Sequence, residues 1–365
     1  MNVGLIGCGG IANVHMRVLK SIRDVNVVGV CDLNLERAKK LGHRFNVEKV
    51  FGDYNDLLDI KDLGLVDVCT PVSTHQRIVC DAVKAVPAVL VEKPMALNTF
   101  QCEDMISEAR KHNSKLCVGH NQIFLPSIER AKALIDKGVF DLVSFKTVQK
   151  ESFELLKALG LASDWMVMPE QRGIIWEVCC HLAYLQLHFL NDIKEVYAVG
   201  GKAKHPVYDH FAVLLRASNE NSGLIDLSWI SQETEIVYEM CDSKGKRAQI
   251  YRDFDYFLEN TALPPLTPGG VARSFFADEK RTLKKWTKFD LNYMLKRKMI
   301  PHFKLISRYI MNIQKDLPPP ILPEQGRDAV NLLECIEKSL IEQRSIAVNL
   351  NQFKNQRVDL ENTVT

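Results

Sequence analysis

The 365-residue chain has ten cysteines, yet no two stand in a Cys-x-x-Cys pair. That spacing is the usual frame of a zinc ribbon or a thiol redox centre, so neither is expected, and no metal site is assigned. Several cysteines fall inside apolar runs, where the residue acts as a small filler and suits a reducing cytoplasm. Net charge is only +2, so no global field points to nucleic acid or to a membrane surface. No apolar run reads as long enough to span a bilayer. The first apolar run starts at Val3 and leaves no room for a signal peptide, so a cytoplasmic protein is expected. There is no internal repeat and no low-complexity tract. What remains is 46% hydrophobic and 25% charged, a composition typical of soluble globular chains and long enough for two domains.

The first third alternates strand-like runs (3–6, 25–31, 66–70, 88–91, 116–119) with helix-like stretches (11–22, 34–45, 73–85, 98–112). Such alternation predicts an α/β fold, a doubly wound parallel sheet with right-handed crossovers, over residues 1–120. Asn98, with Gln101 three residues on, has the form of a helix cap. Beyond a helix at 127–137, β-rich segments crowd together (142–148, 196–200, 211–216, 224–230, 235–241, 248–251), broken by a helix at 173–189. They predict a second α+β domain, residues 121–365, with a large, mostly antiparallel open sheet. Residues 262–270 read as a loop, 317–323 as a rigid proline-rich connector and 324–343 as a closing amphipathic helix. Nine Lys or Arg oppose one acid, Asp290, within 280–304. Without an aromatic platform this reads as a solvated face rather than a nucleic-acid patch.

Gly7, Gly9 and Ala12 follow the first strand and open a helix, in the spacing Gly-x-Gly-x-x-Ala. In that context Gly7 allows a tight turn, and Gly9 lets backbone approach a pyrophosphate. Ala12 lets helix and strand pack, and the backbone of Gly10 and Ile11 lies at the helix amino terminus. Asp32 ends the second strand, 20 residues after Ala12, where an acid accepts hydrogen bonds from both ribose hydroxyls and repels a 2′-phosphate. This predicts NAD over NADP; the alternative is an Asp that only caps the next helix. Thr70, Pro71 and His75 form a strand-to-helix turn facing the same crevice, with Ser73 or Thr74 as cap. Residues 88–91 are an apolar run ending in Glu92, Lys93 and Pro94. A charged pair at the end of a buried strand is costly unless something uses it. Taken alone, the tripeptide fits a solvated surface turn equally well.

These landmarks, with Glu177, His181 and the closing 318–345 segment, resemble the Gfo/Idh/MocA oxidoreductases, the glucose–fructose oxidoreductase and inositol dehydrogenase group. The resemblance covers most of the chain in order. It implies a Rossmann domain followed by an α/β domain whose sheet forms a dimer or tetramer interface. It assigns Lys93 to catalysis and the Lys93-Pro94 turn, with a cis bond, to the nicotinamide site. In the family's second motif an Asp precedes a His by four residues; here Glu177 takes the Asp position and His181 matches. Arg172, where the family has a glycine cluster, would narrow or recharge the sugar pocket. The family places cofactor or substrate contacts near His120 and Asn121, and Trp165 stands where a ring could stack on a sugar. His15, on the first helix, reads as structural. Cys179 and Cys180 read as packing.

The expected activity is oxidation of a secondary hydroxyl on a sugar, polyol or nucleotide sugar, with NAD as hydride acceptor. His181 would remove the hydroxyl proton, Lys93 would stabilise alkoxide charge, and Glu177 would orient substrate. A desolvated Lys93 acting as the base is the alternative assignment. Two rival functions share these residues: an NAD-dependent glycosidase or epimerase with no net NADH, and a non-catalytic sugar- or dinucleotide-sensing regulator.

Overall fold

The computed structural model describes residues 1–160, 162–252, 256–260 and 291–349. The loop expected at 262–270 and residues 280–290 of the basic stretch lie outside the described residues.

Six short strands build the first sheet: β1 (Asn2–Ile6), β2 (Asn26–Cys31), β3 (Lys49–Phe51), β4 (Leu63–Val68), β5 (Ala88–Val91) and β6 (Lys115–Val118). They lie in the order β3-β2-β1-β4-β5-β6, all parallel. The order reverses between β1 and β4, which opens a crevice at their carboxyl ends. Helices α1 (Gly10–Ser21), α2 (Leu35–Phe45), α3 (Tyr54–Leu58), α4 (His75–Ala85) and α5 (Thr99–Lys111) cross between them. Local chemistry sets their ends. Asn34 caps α2 by accepting from the Arg37 amide, and Asn46, at φ 53°, ends it in the left-handed region. Asn98 accepts from the Gln101 amide, while Gln101 returns a bond to the Leu97 amide. The sequence reading passed over β3 and α3, which are too short to show a period.

After α6 (Pro126–Asp136) the chain builds an eight-stranded sheet, ordered β13-β12-β11-β7-β10-β9-β8-β14. Its long members are β7 (Leu142–Ser152) and β11 (Ile230–Asp242). The rest are β8 (Ile193–Gly201), β9 (His210–Ala217), β10 (Ser222–Ser228), β12 (Arg247–Tyr251), β13 (Tyr256–Asn260) and β14 (Ile346–Ala347). Only β7 and β10 pair in parallel; the other neighbours are antiparallel. The short helix α7 (Phe153–Ala158) follows β7, and α8 (Cys180–Leu190) lies across one face. Alternation of side chains puts Phe145, Val213, Leu215, Ile225 and Tyr238 into that covered core. A Cβ on Gly223 would stand 2.6 Å from Gln186 Oε1, so the close approach of α8 to β10 needs glycine there. On the opposite face Val199 and Leu214 are exposed.

By length and composition alone the stretch Pro169–Leu190 could cross a membrane, but 72% of its most apolar window is buried inside the fold, as core segments are.

The carboxyl-terminal helices tie the two sheets together. The long helix Leu291–Gln314 returns to the first sheet, where Leu305, Ile306, Tyr309 and Ile310 join its core. The closing helix Pro323–Glu342 gives Val330 to the first core and Leu332, Leu333 and Ile336 to the second. Tyr309 is fully buried and its hydroxyl donates to the carbonyls of Lys115 (2.5 Å) and Val89 (3.1 Å). Tyr309→Phe leaves these buried carbonyls without that donor. We expect a loss of about 1–3 kcal/mol, read as a lowered urea midpoint with unchanged circular dichroism.

Candidate active site

The glycine turn between β1 and α1 has the shape of a phosphate cradle. Gly7 sits at φ 93°, and a Cβ there would lie 2.6 Å from the Cys69 carbonyl group. Gly9 and Gly10 face open space, and no side chain caps α1. Its first amides are therefore left for a ligand. Asp32 accepts from the amide of Cys8 (2.8 Å) and from that of Asn34 (2.8 Å), so it pins the glycine turn to the end of β2. The side chain capping α2 is that of Asn34, and Asp32 stays half-exposed at the rim. These features fit a dinucleotide. Burial pushes the thiols of Cys8, Cys31 and Cys69 up to about 12, which keeps them protonated packing groups.

Beneath the cradle lies a buried charge cluster. His15, on α1, has Nδ1 2.8 Å from Asp67 Oδ2 and Nε2 3.0 Å from Glu92 Oε1. His15 and Asp67 are both wholly buried. Burial pushes the histidine down, but Asp67 and Cys69 outweigh it and hold His15 well above its ordinary value. Burial likewise pushes Glu92 up, and the bond to charged His15, with Lys93 beyond it, pulls it back down to about 2. The result is an imidazolium clamped between two carboxylates. Ligand atoms of His15, Glu92 and His302 lie within 4.8 Å of one another, as metal ligands would. In this structure both His15 ring nitrogens are hydrogen-bonded to carboxylates.

Glu92 Oε2 in turn accepts from the Lys93 amide (3.1 Å), and the Lys93-Pro94 bond is cis. The Lys93 side chain crosses to the second domain, where Nζ donates to the Glu177 carbonyl (2.8 Å) and lies 3.4 Å from Glu177 Oε2. Glu177 stands in a π-helical turn, Ile175–Cys179, just before α8. A π turn shifts carbonyls away from their usual amide partners, a local distortion frequent at functional sites. Burial lowers the Lys93 pKa, but Glu177 and, beyond it, Cys180 and Glu92 raise it more, so Lys93 is a stabilised cation.

One turn on, His181 Nδ1 lies 2.8 Å from the Tyr184 hydroxyl. Burial, followed by the charge of Lys93, holds His181 well below its ordinary pKa, so the ring is neutral near pH 7. Tyr184 stacks on His120, with ring centroids 4.2 Å apart, and bonds to Asn121. Both His120 nitrogens are buried without partners among the described residues, and burial lowers that ring to about 3. Asn121 also reaches His302 on the long helix.

The structure thus brings Lys93, Glu177, His181 and Asn121 together. It places other expected contacts elsewhere. The Arg172 guanidinium stacks 3.8 Å from the Trp176 ring, donates to the Leu97 carbonyl (2.5 Å) and pairs with Glu337. Its charge is used inside the protein rather than offered to a substrate. His75 is buried between the carbonyls of Pro94 (2.9 Å) and Thr70 (2.8 Å). It couples two crevice turns instead of showing its ring to a cofactor. Thr70 is half-buried and Pro71 exposed at the crevice turn. Trp165 is half-buried in a single turn, Asp164–Val167, with no hydrogen bond to Lys93, Glu177 or His181. Asp67, Tyr184 and His302 escaped the sequence reading. A charge inside the apolar run of β4 was the signal for Asp67, and the three-residue step from His181 was the signal for Tyr184. Nothing local marks His302.

The cluster has a pH signature. A carboxyl lowered on folding adds stability above its unfolded value of about 4.5, and that stability is lost as pH falls toward 2. Glu92→Gln should therefore lower the urea midpoint at neutral pH and flatten its decline between those limits. His15, raised on folding, adds stability that is complete below 6.5 and fades as pH rises through its higher folded value.

The chain is similar to known proteins over most of its length. Residues 1–120 match the oxidoreductase family with an NAD-binding Rossmann fold, and 128–251 match the GFO/IDH/MocA C-terminal domain. The chain is 24% identical to a myo-inositol 2-dehydrogenase of Thermotoga maritima, covering 95% of this chain and 98% of the relative. It is 33% identical over 237 residues to an inositol 2-dehydrogenase of Acidothermus cellulolyticus, covering 62% of this chain and 66% of the relative. In fold it is similar to levoglucosan dehydrogenase in complex with NADH, with TM-score 0.77, 16% identity, and 95% and 99% of the two chains covered. A scyllo-inositol dehydrogenase from Lactobacillus casei with NAD(H) and scyllo-inositol gives 0.74 at 15% identity, covering 95% and 99%. The chain belongs to the Gfo/Idh/MocA family of NAD-binding oxidoreductases.

Proposed function

We propose that the protein is an NAD-dependent dehydrogenase that oxidises a secondary hydroxyl of a sugar, polyol or nucleotide sugar. The observation that carries this reading is the Lys93 ammonium, anchored on Glu177 one helical turn from a neutral His181, at the carboxyl end of the dinucleotide-binding sheet. The inositol dehydrogenase names among its relatives support the substrate class.

When bound, the dinucleotide supplies the hydride acceptor. Gly7, Gly9, Gly10, Ile11 and Ala12 would hold its phosphates and Asp32 its ribose, while Thr70, Pro71, Glu92, Lys93 and Asn121 would line its inner end. Asp32 favours NAD because a 2′-phosphate would meet a carboxylate. Lys93, a stabilised cation, stabilises negative charge on the substrate oxygen. That leaves proton removal to His181, whose neutral ring can accept it. Glu177 holds Lys93 and orients substrate hydroxyls. Residues 1–120, with the helix Leu291–Gln314 packed on their sheet, would form the cofactor domain and the eight-stranded sheet the substrate domain, with the exposed sheet face carrying Val199 and Leu214 as the contact between copies.

Lys93→Met should lower kcat by roughly 10³-fold, within the range that electrostatic stabilisation supplies, while NAD affinity by fluorescence titration changes far less, because the phosphates and ribose are held by other residues. An active Lys93→Met enzyme would remove the assignment. Because the His181 pKa is depressed, kcat/KM should hold as pH falls through 6.5 and decline only below it. Formation of NADH with a sugar or polyol panel separates this reading from a glycosidase or a regulator, which would give none. Equal affinity for NADP would contradict the role of Asp32.

A further inference from the structure

A neutral imidazole carries one ring proton, and the group bonded to one nitrogen decides which nitrogen holds it. His181 Nδ1 meets the Tyr184 hydroxyl at 2.8 Å, while Nε2 has no hydrogen bond among the described residues. If the phenol donates to Nδ1, the ring proton sits on Nε2, and that nitrogen cannot take another from a substrate. If the phenol accepts from Nδ1–H, Nε2 presents a lone pair. The usefulness of His181 as a base turns on where the single Tyr184 proton points.

The groups around the hydroxyl bear on this. The Gln122 amide donates to the Tyr184 oxygen at 3.1 Å. Asn121 Oδ1 lies 3.4 Å away and can only accept. The polarity of that amide is set at its far end, where Asn121 Nδ2 lies 2.9 Å from His302 Nε2. With Nδ2 engaged by His302, Oδ1 is turned toward Tyr184. The phenol ring is held by its stack on His120, at an interplanar angle of 19°. Gln122 is held in turn by a 3.0 Å bond from Tyr238 to its Oε1. The phenol is thus fixed with an acceptor on one side and a donor on another, and His302, on the long helix, orients the whole chain of groups.

We propose that Tyr184 is a positioning residue that holds His181 in its Nδ1–H tautomer, with Asn121 and His302 giving the hydrogen-bond chain its direction. This deepens, and rests on, the reading of His181 as the base. In the step itself the substrate O–H bond breaks, its electron pair stays on oxygen, and the proton forms a bond to the His181 Nε2 lone pair. Nδ1–H remains donated to Tyr184, whose oxygen then stabilises the imidazolium. No other proton moves.

The test reads the tautomer directly. Full-length protein labelled with ¹⁵N-histidine is examined by long-range ¹H–¹⁵N correlation at about pH 8, well above the ordinary histidine pKa, without substrate. The His181 signals are identified by their loss in His181→Asn. The expected pattern is a protonated Nδ1 and an unprotonated Nε2; a protonated Nε2 overturns the proposal. Tyr184→Phe keeps the ring and its stack. It should shift the His181 signals toward Nε2–H and lower kcat roughly 10- to 100-fold, part of what a positioned base supplies, with KM within about twofold. Unchanged signals and kcat in that variant would also overturn it. His302→Gln, which retains an acceptor for Asn121, should keep the Nδ1–H pattern, and His302→Leu should lose it. The wild-type spectrum decides the matter even if a variant fails to fold. An active His181→Asn would instead defeat the base assignment while leaving the tautomer result standing.

Discussion

Everything at the centre of this molecule depends on keeping charge stable where water is excluded. An unpaired carboxylate as buried as Glu92 would be far too costly to sit at the end of a core strand. It is stabilised because His15, fully buried on α1, is an imidazolium held between Glu92 and Asp67. His15 is held charged by Asp67, and Glu92 is held charged by His15. This clamp joins α1, β4 and the turn after β5, the same elements whose carboxyl or amino ends form the dinucleotide cradle. The shape of the cradle and the position of Lys93 are consequently set by one electrostatic arrangement.

Lys93 carries that arrangement across the domain boundary. Its amide belongs to the Glu92 side and its ammonium to Glu177, so the side chain links the cofactor domain to the π turn before α8. That turn presents both the Glu177 carbonyl and its carboxylate to the ammonium, so part of the contact is to backbone, which no side-chain substitution supplies. Arg172, which sequence alone places in the pocket, is drawn instead to Glu337 and the Trp176 face. The crevice keeps the Lys93 cation beside a neutral histidine, a pairing suited to removing a proton and stabilising what remains.

The last two described helices complete the site from outside it. The long helix anchors Tyr309 over β5 and β6 and brings His302 to Asn121 and near the His15–Glu92 pair. The closing helix shares its apolar residues between both cores. Two sheets that meet only at loops would leave the Lys93–Glu177 contact free to open, and shared helices restrain that motion.

Much of this was legible in the chain itself. The period of the apolar runs determined the two sheet types, because strand and helix repeats are local properties of the backbone. The glycine spacing and Asp32 determined a dinucleotide site, since a tight turn at a helix amino terminus needs only neighbouring residues. Lys93, Glu177 and His181 were singled out by the resemblance to the family's motifs, since taken alone the charged tripeptide fits a surface turn and a lone histidine fits a core residue. Short elements such as β3 and α3 were missed because three to five residues show no period. Tertiary structure alone decided the partners. That Arg172 turns away, that His75 ties two turns, that His15 is charged and that Asn121 meets His302 all depend on contacts between residues from 19 to 181 positions apart, apart from the local stack of Arg172 on Trp176 and the bond of His75 to the Thr70 carbonyl. Hydrogen-bond direction and buried charge are decided by whatever the fold brings within reach, and no local pattern of residues encodes that.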